Sequence, residues 1–331
     1  MSSQFDIVSG NQFDTIWETS LVQMGKKSFV AAVLFVTLSC VAIPAQAKVH
    51  QISETSIPVP RFGTQTKLPS TERIVALANG SMEVLYSLGL ERYVVGRDIA
   101  SSFRGVRKIP IVTNGHAISA EKVLRLRPTL ILINKNTGPE KALTILRKAR
   151  VKIAVIPDAF TVGDMEEKYR AIIDSVGLKS DSSLAQSLFA SIPAGAPSAE
   201  DPLIRVAFLY LRGTSSIYLL GGEGSGADQL IAAAGGVDVG SALGLPGFSP
   251  ITSEAVIQSK PNVLLLMTKG LESVGGIKGL RNLPGIAQTQ AGITGNVITV
   301  DDSLLLSFGP RTSSLIQKLT KIFESYKEKN T

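Results

Sequence analysis

A repeated helix–strand pattern constrains the fold of this chain more than any other feature. Residues 118–133 read ISAEKVLRLRPTLILI, and residues 251–266 read ITSEAVIQSKPNVLLL. Each copy opens with a hydroxyl side chain, Ser119 or Thr252, that is suited to capping a helix N-terminus. Each copy then reaches a proline that stops the helix, and an uninterrupted apolar run of the kind found in buried parallel strands follows. Two such steps predict two α/β lobes, each Rossmann-like.

The length and composition of the chain agree with two lobes. It has 331 residues, of which 44% are hydrophobic, enough to form a large core and too many for a disordered protein. A helical pattern over 181–192 would span about 18 Å and is expected to join the lobes as a long interdomain helix. Ligands of such folds bind in the crevice at the carboxyl ends of the strands. The expected segments are a linker (48–70), an N-terminal lobe (71–176), a connecting helix and link (177–202) and a C-terminal lobe (203–331).

The first residues look like a targeting signal. Two lysines precede the apolar stretch Phe29–Ile43, and an A-x-A pattern ends at Ala47. This order is typical of a secretory signal over 1–47, whereas the run is short for a membrane span. The residues before Cys40 resemble a bacterial lipobox, so a lipid anchor at Cys40, and with it contact with a membrane surface, is the alternative. Both routes predict an extracytoplasmic protein, secreted or anchored to the outer face of the cell membrane.

Composition and motifs exclude several classes of function. One cysteine and two histidines exclude an internal disulfide and the common zinc motifs. The net charge of +7 favours an anionic ligand, and nothing predicts a nucleic-acid partner. No nucleophile–base pair is evident, so no enzyme is expected. The G-x-G-x-x-A pattern over 222–227 mimics a dinucleotide fingerprint and leaves an extracytoplasmic oxidoreductase as an alternative, but no acidic residue follows about 20 residues later.

Four side chains are candidates for a ligand site. His116 lies on a loop before the first repeat helix, where it is either a ligand or a surface histidine. Tyr210 and Arg212 are two residues apart at the end of a predicted strand, so both side chains share a face. The guanidinium would favour a phenolate, a hard ligand for ferric iron of the kind that holds haem in some proteins; the alternative is a half-buried tyrosine beside a salt-bridged arginine. Met267 ends the second repeat strand and either reaches the crevice or packs in the core.

Several segments between Glu72 and Phe323 resemble one known family. The chain is similar to the haem-binding components of bacterial haem ABC importers, within the wider class of siderophore and vitamin B12 binding proteins. The segments that carry the resemblance are ERIVALANGSMEVLYSLGL (72–90), VVGRD (94–98), ISAEKVLRLRPTLIL (118–132), YLRG (210–213), GADQLIAAAGG (226–236), GLESVGG (270–276), LPGIAQT (283–289) and DDSLLLSFGPRT (301–312).

This resemblance implies two α/β lobes joined by a long helix, and a monomer that captures ferric haem and delivers it to an ABC permease and its ATPase. In many Gram-negative members an iron-binding tyrosine precedes the repeat helix, but Asn114 stands at that position here. The chain instead resembles the actinobacterial branch. There a loop histidine and the tyrosine of a Y-x-R motif bind iron together, which implies His116 and Tyr210 as axial ligands and Arg212 as a hydrogen-bond donor to the phenol oxygen.

The resemblance also implies roles for residues outside the ligand pair. Met267 corresponds to a family position near the haem. Glu83 corresponds to the acid that such proteins offer to permease arginines, and Asp238 is our candidate for its counterpart in the second lobe. Arg97 is a candidate partner for the haem propionates. The main alternative is a ferric-siderophore or corrinoid binding protein, which would need arginines and aromatic side chains rather than a His/Tyr pair.

Overall fold

A computed structural model describes residues 49–64, 67–68, 73–115, 117–194, 204–213 and 218–327. The predicted signal segment, Cys40 and His116 lie outside the described residues. Within the described ranges, no helix is both long enough and apolar enough to cross a membrane.

The first half of the chain alternates short strands and helices. Its elements are β1 (Val49–Ile52), β2 (Ile74–Ala76), α1 (Ser81–Ser87), β3 (Val94–Arg97), β4 (Thr113–Asn114), β5 (Ala117–Ile118), α2 (Ala120–Arg125), β6 (Leu130–Ile133), α3 (Glu140–Lys148), β7 (Lys152–Val155), α4 (Met165–Ser175) and α5 (Ser183–Phe189).

The second half begins with a longer strand and ends with the longest described helix. Its elements are β8 (Ile204–Tyr210), β9 (Leu219–Gly221), α6 (Ala227–Ala233), β10 (Gly236–Asp238), α7 (Val239–Ala242), β11 (Phe248–Pro250), α8 (Ser253–Gln258), β12 (Val263–Met267), α9 (Thr268–Ser273), α10 (Gly276–Arg281), α11 (Gln290–Thr294), β13 (Val297–Val300), α12 (Asp302–Leu305) and α13 (Thr312–Lys327).

Two main sheets form the centres of two α/β lobes, as predicted. The N-terminal sheet has the order β3-β2-β6-β7, and all of its pairs are parallel. The C-terminal sheet has the order β1-β13-β12-β8-β9-β11. There β8 also pairs with β10, and β9 runs antiparallel to both β8 and β11. Crossover helices between parallel strands cover the sheet faces, which explains the continuous apolar runs of the strands.

The repeat predicted from the sequence is present in both lobes. The Ser119 hydroxyl accepts a hydrogen bond from the Lys122 amide (3.3 Å), and the Thr252 hydroxyl accepts one from the Ala255 amide (3.2 Å). Helices α2 and α8 each run for six residues. Each is followed by a buried strand, β6 or β12, in the middle of its sheet.

Alternate residues of the two repeat strands contact different cores. Leu132 and Leu265 belong to the core that both halves share. Ile131 faces a core made by the N-terminal lobe alone, and Leu264 faces one made by the C-terminal lobe alone. All four side chains are fully buried. The shared core therefore joins the lobes with apolar contacts as well as with the covalent chain.

Two expectations about segment boundaries require correction. Residues 48–70 were expected to form a linker, but β1 lies within them and extends the C-terminal sheet by parallel pairing with β13. The helix expected over 181–192 has seven residues, Ser183–Phe189. It follows the longer α4 and contacts it, so the helix nearest the second lobe is shorter than expected. Polar residues at 179–182 interrupt the helical pattern, and Ser182 caps α5 through the amide of Ala185 (3.3 Å).

Candidate functional site

A cavity of about 360 Å³ lies at the carboxyl ends of the N-terminal strands. Its lining includes Leu77 after β2, Asp98 after β3, Asn134 after β6, and Asp158 and Phe160 after β7. This is the edge at which open α/β sheets bind ligands. The described lining of this cavity comes from the N-terminal lobe alone, and a ligand crevice between the lobes stays a prediction.

The cavity combines apolar side chains with two carboxyl groups. Ile99 and Phe160 line it and are 45% and 49% exposed. Burial raises the pKa of Asp98, which also accepts a hydrogen bond from the Ser101 amide (3.1 Å), and burial likewise raises the pKa of Asp158. In both cases the cause is the loss of hydration, which disfavours the charged form of the carboxyl group.

A short hairpin borders this cavity. Strands β4 and β5 pair antiparallel, and Gly115, at a φ of +59°, lines the cavity. Asn114 is exposed, and its side-chain oxygen accepts a hydrogen bond from Lys122 Nζ (3.1 Å). His116 follows Gly115 in the chain but lies outside the described residues.

The second lobe contributes Tyr210, the last residue of β8. Arg212 Nε donates a hydrogen bond to the phenol oxygen of Tyr210 (2.7 Å), and the guanidinium carbon lies 5.2 Å from the ring centroid. On another side the ring of Phe248 packs at 5.0 Å with an interplanar angle of 51°. A cation and an aromatic ring thus hold the phenol, and a charge-assisted hydrogen bond stabilises negative charge on its oxygen.

The contact of Phe248 with Tyr210 was not predicted from the sequence. It lies on β11, which reaches Tyr210 because β11 pairs antiparallel with β9 and β9 pairs antiparallel with β8. No local pattern predicts that pairing. Tyr218, at the start of the next stretch of chain, is buried and donates a hydrogen bond to the Pro284 carbonyl (2.6 Å), and burial raises its pKa to about 12. Tyr218 therefore has a structural role.

Met267 ends β12 and is half-buried, with its side chain packed against the shared core. Just beyond it, the Lys269 amide donates a hydrogen bond to Asp302 Oδ2 (3.0 Å). Burial raises the pKa of Asp302. Met267 thus lies at the same carboxyl edge of the C-terminal sheet as Tyr210.

Arg97 does not line this cavity, in contrast to the expectation that it faces a ligand. Its side chain is buried and donates hydrogen bonds to the backbone carbonyls of Val106 (3.1 Å), Asp98 (3.1 Å) and Ser101 (2.9 Å). Burial lowers its pKa. Arg97 therefore holds the loop after β3 in place instead of pairing with a propionate.

The expected docking acids are also buried. Glu83 is 3% exposed, and its Oε1 accepts a hydrogen bond from Arg311 Nη2 (2.6 Å). Asp238 is 5% exposed and caps α7 by accepting hydrogen bonds from the Ser241 amide (2.8 Å) and hydroxyl (2.9 Å). Burial raises the pKa of Asp238 to about 6. Both carboxylates are thus bonded within the protein, and the docking role implied for them stays a prediction.

In the glycine-rich turn at 222–227, a carboxylate of the chain itself occupies the backbone N–H donors. Asp228 accepts hydrogen bonds from the amides of Gly224 (3.1 Å) and Gly226 (2.9 Å). These are the backbone donors that would hold a phosphate in a dinucleotide site. The strand before the turn, β9, is also antiparallel to β8, unlike the parallel strands of a nucleotide-binding unit. The turn therefore does not fit a dinucleotide site.

No cluster of three or more His, Cys, Asp or Glu side chains suited to a metal ion occurs within the residues that the structure describes. The two candidate surfaces are thus a cavity with mixed lining on the first lobe and a phenol held by an arginine on the second.

The sequence profile of the periplasmic binding protein family matches residues 74–304. This chain belongs to the periplasmic binding protein family. Membership indicates an extracytoplasmic location and a binding rather than a catalytic lineage. A comparison with curated proteins finds no match.

Similar solved structures support the assignment of this chain to the periplasmic binding protein family. The periplasmic heme-binding protein RhuT from Roseiflexus sp. RS-1, in its apo form, is 35% identical, and the alignment covers 78% of this chain and 99% of RhuT with a TM-score of 0.72. A variant of the heme-binding protein HmuT is 26% identical over 85% of this chain and 94% of that one, with a TM-score of 0.75. The heme-binding protein HutB of Vibrio cholerae, 24% identical over 76% of this chain and 99% of HutB with a TM-score of 0.68, shows the same fold.

The HmuT structures include three alanine variants. The replaced residues are a tyrosine, the arginine two positions after it, and a histidine. The resemblance to the haem-binding branch, first seen in sequence segments, is confirmed by these similar structures.

Proposed function

We propose that this protein captures ferric haem between its lobes and delivers it to an ABC permease and its ATPase. The single observation that carries the proposal is the arrangement of Tyr210 and Arg212 at the end of β8, with the phenol oxygen and Nε 2.7 Å apart. It has the tyrosine–arginine spacing of the residues replaced in the HmuT variants, in a chain 35% identical to a heme-binding protein.

Haem supplies a ferric iron with two open axial positions and two carboxylate arms. The Tyr210 oxygen would bind one axial position, and the hydrogen bond from Arg212 would favour the anionic phenolate that ferric iron prefers. A ring nitrogen of His116 would bind the other position. Asn114 and Met267 would border the pocket, from the hairpin and from the end of β12.

The apolar porphyrin faces need apolar surroundings. Exposed Ile99 and Phe160 offer them on the first lobe, and Phe248, 39% exposed, offers them on the second. The net charge of +7 favours the dianionic ligand.

An absorbance titration with haemin tests the proposal. We expect a Soret band and a six-coordinate ferric spectrum for the unchanged protein. Tyr210→Phe removes only the ligand oxygen, and His116→Ala removes the imidazole, so each should change the spectrum and weaken binding by about tenfold or more. Tyr93→Phe and His50→Gln are the matched controls, since neither residue lies at the proposed site. If Tyr210→Phe and His116→Ala both leave the spectrum and affinity unchanged, the ligand assignment is wrong.

A competition experiment separates haem from the related ligand classes. A ferric siderophore or a corrinoid carries its own metal ligands and does not need the Tyr210 oxygen. Displacement of haemin by either compound at equal concentration, with Tyr210→Phe binding that compound as well as the unchanged protein does, would favour the alternative cargo.

We propose that the chain acts as a monomer without catalytic activity, held outside the cytoplasm after processing. The location outside the cytoplasm is supported by the secretory pattern that ends at Ala47 and by the lipobox-like residues before Cys40. An intact mass of the processed protein distinguishes the two routes: cleavage after Ala47 gives an unmodified chain starting at Lys48, whereas a lipid anchor leaves a modified Cys40 at the N-terminus.

A further inference from the structure

A second cavity of about 510 Å³ lies away from the first one, and among the described residues none lines both. It is enclosed by the chain after β1, by helix α1, by the turn at 103–105 and by the start of α13. Its volume is within the range of sites for small organic ligands.

Aromatic side chains form one part of its wall. The rings of Tyr86 and Phe103 meet edge to face, with centroids 5.3 Å apart and an interplanar angle of 82°. Pro58 and Val59 add apolar surface. A flat aromatic molecule would bury its faces against this wall, and aromatic contacts of this kind add to the simple burial of area.

Two arginines supply the polar part. Arg311 is 1% exposed; its Nη2 donates to Glu83 Oε1 (2.6 Å) and to the Ser303 carbonyl (3.1 Å). Its Nε and Nη1 are buried and have no hydrogen-bond partner among the described residues, although the guanidinium carbon lies 5.5 Å from the Phe103 ring centroid. Arg104 lines the cavity from its exposed edge.

Buried guanidinium donors without an acceptor are costly, because a guanidinium has five N–H groups to satisfy. An aromatic ring face is only a partial substitute for an acceptor. The carboxylate that lines this cavity, Glu54, is paired with Arg107. Glu83 likewise balances the charge of Arg311. Among the described lining residues, Arg104 therefore adds a positive charge beyond these pairs, and Arg311 adds N–H donors for an anion.

The geometry points to a second binding site in this cavity, specific for a small flat aromatic molecule that carries a carboxylate. The aromatic faces lie against Tyr86 and Phe103, and the carboxylate accepts hydrogen bonds from Arg311 and Arg104. The site is independent of the proposed haem crevice, because the two cavities have separate linings.

Calorimetric titration of the whole mature protein with 2-naphthoate, and with its uncharged analogue 2-naphthamide, tests the site. We expect one saturable site for naphthoate and binding weaker by about tenfold for the amide, since the amide lacks the charge-assisted hydrogen bonds. Arg104→Gln should weaken naphthoate binding by about tenfold. Lys108→Gln removes the same charge from a nearby exposed residue outside the cavity, so it should change binding by less than about twofold.

Two further measurements keep the test decisive. Val59→Trp fills the cavity and should abolish naphthoate binding while haemin binding, measured in parallel, reports an intact fold. Saturation with haemin should leave naphthoate binding unchanged. The inference is overturned if naphthoate shows no saturable binding at millimolar concentration, if the amide binds equally well, if Arg104→Gln and Lys108→Gln have equal effects, or if haemin displaces naphthoate. The first three of these results are independent of whether haem is the cargo.

Discussion

The two copies of the repeat share more of their framework than the sequence pattern shows. In the first copy Arg73 Nε donates a hydrogen bond to the Leu126 carbonyl at the end of α2 (2.9 Å). In the second, Arg205 Nε donates one to the Ser259 carbonyl at the end of α8 (2.8 Å). Each arginine lies at the start of the strand that pairs with the repeat strand, β2 beside β6 and β8 beside β12. A cation at a helix C-terminus is favourable. The residues before the two prolines, Arg127 and Lys260, have φ values of +46° and +47°.

The copies differ in the loops that precede the repeat helices. Ahead of α2 the chain forms the β4–β5 hairpin beside the first cavity. Ahead of α8 it forms β11, which brings Phe248 against Tyr210. The helix, the proline and the strand are therefore the common scaffold, while the candidate ligand groups lie on segments that differ. Binding residues are commonly placed on loops in this way, because loops can vary without disturbing the core.

The largest effect on stability is expected where the two halves of the chain contact each other. Glu83 and Glu121 are both in the first turn of a helix and both pair with an arginine, but only the Glu83–Arg311 pair is buried. We expect Glu83→Gln to lower the free energy of unfolding by about 3–5 kcal/mol, because it leaves a buried guanidinium without a counter-charge. Glu121→Gln should change it by less than about 0.5 kcal/mol. Urea denaturation measures both, and equal losses would contradict the difference assigned to burial.

The second test compares equivalent core residues. Leu132 and Leu265 are both fully buried and contact the shared core. Replacement of either by alanine should lower the free energy of unfolding by about 3 kcal/mol, from lost burial and the cavity left behind. Leu124 and Ile257, also equivalent, are partly exposed and should each lose less than half as much on replacement by alanine. A large loss in one lobe only would show that the copies are not energetically equivalent.

The third test measures how stability depends on pH through Lys168, which also lies at the contact between the two halves. Lys168 Nζ donates a hydrogen bond to the Ser307 carbonyl (2.6 Å), and burial lowers the pKa of Lys168 to about 8, against an ordinary 10.5. Between these values the folded protein has lost a proton that the unfolded chain still carries. This group therefore makes the unfolding free energy rise with pH, by at most about 1.4 kcal/mol per unit. Unfolding measured at pH 8, 9 and 10 should show that rise relative to Lys168→Met; parallel curves for the two proteins would refute it.

The smallest expected effect concerns the helix caps. Ser119→Ala and Thr252→Ala each remove the hydroxyl that accepts a first-turn amide, and each should cost about 1 kcal/mol. Ser253→Ala, one position inside α8, serves as the control, since the Ala255 amide is bonded to Thr252 and not to Ser253. The shift in the urea midpoint measures all three. A loss confined to one copy would restrict the capping interpretation to that copy.

Local patterns predicted the parts of the fold that depend on neighbours in the chain. The caps at Ser119 and Thr252, the strands after the prolines and the two-lobe class follow from spacing alone. The partners of Glu83 and Phe248 do not, since Arg311 and the β9–β11 pairing come from distant parts of the chain. The burial of Glu83 could not be predicted for this reason, since an acid near a helix start looks the same in sequence whether it is exposed or buried.

The first described strand has a consequence for how the protein reaches its folded state. Val49 to Ile52 pair with Val297 to Val300, almost at the other end of the chain. This edge of the C-terminal sheet can form only after nearly the whole polypeptide has left the ribosome, since pairing between such distant segments must await the later one. The N-terminal sheet, whose four strands lie between residues 74 and 155, needs no such late segment and can form while the rest of the chain is still being made.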